Sequence, residues 1–124
     1  MEIYSDKLAR LLSDTAGLVR QTMRDIARSL QKSGLSVPDQ PVRIATLKEG
    51  SLSGPFYHSE WVEVDLSDGS LKKVRSVGEA EEDGDFEYDD RYSDLSDEEC
   101  LRILPQLIEW TSKVFQPEQL SLTS

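Results

Sequence analysis

At 124 residues the chain is sized for one domain with an ordinary small core. It carries 24 Asp/Glu against 14 Lys/Arg, a formal net charge of −10, which disfavours direct binding to nucleic acid or an anionic membrane surface. One cysteine, Cys100, leaves no intramolecular disulfide framework, and one histidine, His58, excludes a histidine-rich metal site.

The charge is unevenly spread. Residues 1–78 carry 11 Lys/Arg against 10 Asp/Glu, while residues 79–124 carry 3 against 14. Most of the excess sits between Glu79 and Glu99. The opening Met1–Asp6 is acidic with no apolar segment behind it, and no run approaches the roughly 18 apolar residues of a membrane span. The expectation is a cytoplasmic protein without signal peptide or membrane partner.

A first helix is predicted from a cap at Ser5 or Asp6 to about Ser33, where Gly34 supplies the stop. Leu8, Leu11, Leu12, Ala16, Val19, Met23, Ile26, Ala27 and Leu30 recur at steps of three and four and read as one apolar stripe. Such a helix is roughly 40 Å long, longer than a small domain is wide. The surplus predicts a homodimer contact through the N-terminal helix. Arg20, Arg24, Arg28 and Lys32 follow at four-residue steps. They read as a solvated face with ion pairs to the acidic segment, the alternative being a docking surface for an acidic partner.

After a linker at residues 36–40, Val42–Thr46 alternates as a first strand, Glu49–Pro55 reads as a loop, and Phe56–Leu66 as a second strand. Asp68-Gly69 signals a hairpin into a third strand, Leu71–Val77. Pairing apolar with apolar and acid with base predicts Val64 opposite Val74, Glu63 opposite Arg75, Asp65 opposite Lys73 and Trp61 opposite Val77. Phe86 and Tyr88 alternate with acids, as in a short charged fourth strand; the alternative is a fully disordered acidic loop, part of which the aromatic residues would dock.

The second helix begins with a capping box, Ser96 to Glu99, with Leu95 and Cys100 at the staple positions. Pro105 predicts a kink or a restart. Gln116-Pro117 ends the helix, leaving 118–124 as a flexible tail on a single domain, 1–117.

No enzyme signature emerges. Gly50-Ser51-Leu52-Ser53-Gly54 has Leu where a nucleophile elbow needs its nucleophile, no glycine-rich phosphate loop is present, and Cys100 reads as a core thiol. His58 reads as a loop or strand-end residue beside Ser59. No catalytic residue, metal ligand or cofactor is expected.

Two stretches resemble known motifs. Glu79, Glu81, Asp83, Gly84, Asp85, Phe86 and Asp90 resemble positions one, three, five, six, seven, eight and twelve of an EF-hand loop, which implies a Ca-binding module. The departures are Glu at position one, Asp at twelve, and a predicted strand where a helix should precede. Gln119-Leu120-Ser121-Leu122 resembles the start of the short motif by which bacterial replication and repair proteins bind the DNA sliding clamp. That resemblance implies an adaptor anchored by Gln119, Leu120 and Leu122, although Thr123 and Ser124 replace the final bulky apolar residue.

The chain therefore reads as α+β: a long N-terminal helix, a three- or four-stranded antiparallel meander, an acidic connection and a C-terminal helix. The expected function is a non-catalytic acidic regulator or inhibitor that binds a basic surface of a partner protein. One form is phosphate mimicry against a nucleic-acid-handling protein, and Glu81, Glu82, Asp83, Asp85, Glu87, Asp89 and Asp90 are the contact residues.

Overall fold

Helix α1 (Glu2–Lys32) begins before Ser5 and Asp6, which lie within it rather than capping it. The computed structural model describes residues 2–34, 37–80 and 86–114. Strands β1 (Val42–Ser53), β2 (Phe56–Asp65), β3 (Ser70–Ala80) and β4 (Phe86–Ser93) follow, then helices α2 (Asp97–Arg102) and α3 (Leu104–Val114). The strands form one antiparallel sheet in the order β1-β2-β3-β4. This is the expected α+β architecture, with the fourth strand formed.

The expected single stripe on α1 divides. Ala16, Val19, Met23, Ala27 and Leu30 are buried, whereas Leu8 and Leu11 are exposed. Leu12 and Thr15 are half-buried and full burial begins at Ala16, because the first turns project past the described elements that could cover them. The core joins the buried stripe to Val62 and Val64 on β2, Leu95 ahead of α2, and Cys100, Ile103 and Leu107 on the C-terminal helical segment.

β1 extends to Ser53, so the segment expected as a loop, Glu49–Pro55, is strand as far as the turn at Gly54-Pro55. Its polar residues concealed it. The ladder continues because β2 supplies partners, Ser51 opposite His58 and Leu52 opposite Tyr57. Three register shifts interrupt the pairing with β2. They let the adjacent Ile44 and Ala45, and then Leu47, all be buried, which strict alternation forbids. The outer edge of β1 is covered. Gln106 Oε1 accepts from the Thr46 N–H at 2.8 Å, its Nε2 donates to the Thr46 carbonyl at 2.8 Å, and Arg102 Nη2 donates to the Leu47 carbonyl at 2.9 Å.

The β2–β3 register differs from the expected one by three residues. Val64 lies opposite Leu71, Glu63 opposite Lys72, Trp61 opposite Val74 and Glu60 opposite Arg75. These four pairs still match in character, although Val62 lies opposite Lys73, and Val74 faces away from the helices while Val64 faces them. Turn chemistry decides the register. Gly69 N–H donates to the Asp65 carbonyl at 2.7 Å, Asp65 Oδ1 accepts from Ser67 N at 2.9 Å, and Asp68 Oδ1 accepts from Ser70 N at 2.9 Å. The Ser70 hydrogen bond holds the Asp68 carboxyl below the usual range. Gln31 Nε2 on α1 donates to the carbonyls of Leu66 and Ser67, drawing the turn onto the helix.

α2 opens with both halves of the capping box, Ser96 Oγ accepting from Glu99 N and Glu99 Oε1 from Ser96 N. Ile103 interrupts the helix, and α3 restarts with Pro105 in its first turn, where its missing N–H has no partner to lose. Leu95 and Cys100 are both buried. Arg20 Nη2 reaches Asp97 at 2.9 Å and donates to the Leu95 carbonyl at 3.1 Å, an ion pair from the basic face of α1 of the kind expected. The predicted end at Gln116-Pro117 lies outside the described residues.

Two stability predictions follow from this packing. Gly69 has φ +81°, and a Cβ there would lie 2.5 Å from Arg24 Cα, whereas Gly54 has φ +61° with nothing near. Gly69→Ala is expected to cost about 1–3 kcal/mol, and clearly more than Gly54→Ala, in urea unfolding; equal losses would show that the approach to α1 is not the constraint. Desolvation pushes the Glu99 carboxyl up, but the Ser96 N–H and the Lys73 ammonium at 3.0 Å outweigh it and hold it below its ordinary value. A lowered folded pKa contributes stability above the unfolded value and loses it as pH falls through the folded one. Glu99→Gln should therefore be less stable than the parent at neutral pH, with the gap closing below about pH 4. A gap independent of pH would remove the charge from the explanation.

Candidate functional site

The β3–β4 hairpin is the candidate site. Glu87, Asp89 and Asp90 lie on β4, while Glu81, Glu82, Asp83 and Asp85 lie outside the described residues. The chain ends flanking those four, Ala80 and Phe86, are cross-strand partners. One rung further in, Glu79 sits directly opposite Glu87, a like-charge pair that the sequence reading did not identify. The signal was available only through the register.

Alternation separates the β4 carboxylates. Glu87, Asp89 and Arg91 share the sheet face that carries the core further along, whereas Tyr88, Asp90 and Tyr92 share the opposite face. On the first face a groove of about 520 Å³ lies beyond the helices, lined by Glu79, Glu87, Asp89, Arg75, Arg91 and Phe56 among others. Asp89 pairs with Arg91 at 3.2 Å, but both side chains are mostly exposed and the pair is weak. Glu87 and Asp90 have no ion-pair partner among the described residues. β4 is the other edge strand of the sheet, opposite β1.

The opposite sheet face is rich in aromatics. Tyr57 and Tyr88 meet edge to face at 6.3 Å, and Tyr57 lies over Gly50, where any Cβ would collide with the ring. Trp61 and Tyr92 flank the fully buried Val74, and the Arg43 guanidinium stacks 4.8 Å from the centre of the Trp61 ring. The period-two recurrence of Tyr57 with Trp61 and of Tyr88 with Tyr92 is legible in the sequence, yet their convergence needs the pairing.

His58 lies within β2, not in a loop, and is only partly exposed. Its Nδ1 is 3.1 Å from Lys48 Nζ, and its Nε2 is 3.1 Å from Arg75 Nε and 3.5 Å from Glu60 Oε2. A neutral imidazole has one acceptor nitrogen, so it can satisfy one of the two cations at a time. Ser59 points to the opposite face and is buried, so His58 and Ser59 do not form a nucleophile–base pair. Cys100 is fully buried, and burial pushes its thiol up, with Arg20 opposing.

The EF-hand resemblance meets a geometric obstacle. Residues 86–90 are strand rather than loop, and Glu79 and Asp90 fall on opposite faces of the hairpin, so they cannot converge on one ion. Glu81, Asp83 and Asp85 of that pattern lie outside the described residues, as do Gln119, Leu120 and Leu122 of the tail motif. No helix among the described residues is long and apolar enough to cross a membrane.

No protein-family model, curated protein or solved structure matches this chain, so the functional reading rests on its own residues and geometry.

Proposed function

We propose that this chain is a non-catalytic binding protein whose acidic β3–β4 hairpin seats on a basic surface of a partner protein. The observation that carries this reading is the Glu79–Glu87 pair at the β4 edge of the sheet. Like charges directly opposite in a ladder destabilise it. A basic partner converts that repulsion into binding energy, and the neighbouring Asp89, Asp90, Glu81, Glu82, Asp83 and Asp85 extend the charge. In its most concrete form the hairpin occupies an Arg/Lys groove that otherwise takes phosphates, so the protein acts as a regulator or inhibitor of a nucleic-acid-handling protein.

Affinity capture from lysate tests the reading by comparing the intact chain with a variant in which Glu81, Glu82, Asp83, Asp85, Glu87, Asp89 and Asp90 are changed to their amides. The intact chain is expected to retain a partner with a basic surface, to release it at about 0.5 M salt, and to lose it in the variant. The variant should melt at the same temperature or higher, since it relieves repulsion. Identical partners on both proteins would remove the hairpin as the working surface.

A further inference from the structure

We infer that two copies of this chain associate through antiparallel pairing of their α1 helices, with Leu8 of each packed against Leu18 of the other. The inference rests on α1 and α3 alone and is independent of the acidic hairpin.

The helix carries a second apolar stripe beside the one in the core. Tyr4, Leu8, Leu11, Thr15, Leu18 and Thr22 recur at alternating steps of four and three, the 3.5-residue repeat of a two-helix seam. Its large side chains are exposed: Leu8 is 66%, Leu11 61% and Leu18 68% exposed, and Tyr4 70%. A monomer gains nothing from holding four large apolar side chains in line on a projecting helix.

The stripe is its own complement when reversed. Rotation about a two-fold axis near Ser13 sets Tyr4 against Thr22, Leu8 against Leu18 and Leu11 against Thr15 of the second copy. Large residues meet small ones at two of the three levels, as interdigitating layers require. The same rotation brings the projecting first turns of one copy to a groove on the other. That groove, about 540 Å³, lies between α1 and α3 and is lined on one side by Thr15, Leu18 and Thr22 and on the other by Leu104, Ile108 and Thr111. Ile108 is itself 63% exposed at its rim. Knob and hole thus lie on one molecule and are exchanged by one axis, which is the signature of an isologous dimer. Overlap from Tyr4 to Thr22 spans about 27 Å of helix, and two such strips with α3 bury on the order of 1,200 Å², the lower bound for a specific interface.

Sedimentation equilibrium of the full chain at micromolar concentration tests this. The intact protein is expected at twice the chain mass. Leu8→Glu and Leu18→Glu should each halve that mass while leaving the far-ultraviolet circular dichroism unchanged, because both side chains are exposed in the protomer. A mixture of Leu8→Cys and Leu18→Cys should form a mixed disulfide under mild oxidation, located by peptide mapping, while Leu8→Cys alone should not cross-link to itself. A monomeric intact chain would overturn the proposal and leave the stripe to a different protein. A dimer that survives both glutamates would place the interface elsewhere. Rapid self-linking of Leu8→Cys would establish a parallel pair and overturn the register.

Discussion

The seam between the second half of α1 and the sheet is the constraint on which the other features depend. Ala16, Val19, Met23 and Leu30 meet Val62, Val64 and the residues around α2 along it. Polar contacts pin it at separated points: Arg20 holds the entry to α2, and Gln31 holds the β2–β3 turn. Gly69 allows that turn to approach the helix backbone. Once the turn is seated, the β2–β3 register is set, and with it the face on which every later side chain falls. The placement of Val74 beside Trp61 descends from that turn, whereas the Glu79–Glu87 pair and the positions of Tyr88 and Tyr92 are set by the separate β3–β4 register.

The sheet treats its two edges differently. On β1, Gln106 and Arg102 satisfy outward backbone groups that would otherwise invite another strand. On β4 the strand carries charge instead, from Glu87, Asp89, Asp90 and Arg91. Charge on an open edge discourages pairing with a copy of the same strand, since like would meet like, but it does not discourage a basic partner. Aromatic rings on the adjoining face offer broad contact area at small entropic cost.

α1 combines two helical repeats whose stripes lie side by side. One is buried by the chain's own sheet and helices and the other is left to solvent in the protomer. A pattern read along the sequence sees both as one broad apolar face, because residues three and four apart satisfy either. Only the positions of the neighbouring elements divide them, and these bury the helix fully no further up than Ala16.

The local signals in this chain were legible from the sequence. The capping box at Ser96 and Glu99, the restart at Pro105, the alternation of β2 and β4, and the buried thiol at Cys100 each depend on residues a few positions apart, where backbone geometry leaves little choice. What the sequence left open were relations across distance: the continuation of β1 through polar residues, its register shifts, the β2–β3 register and the division of the α1 stripe. Pairing rules admitted more than one register because Val64 finds an apolar partner in either Leu71 or Val74. The order of the residues alone determined that this protein carries a concentrated negative charge in its C-terminal part. Tertiary structure decided which carboxylates face one another, because a strand sends alternate side chains to opposite faces and its register is set by contacts made elsewhere.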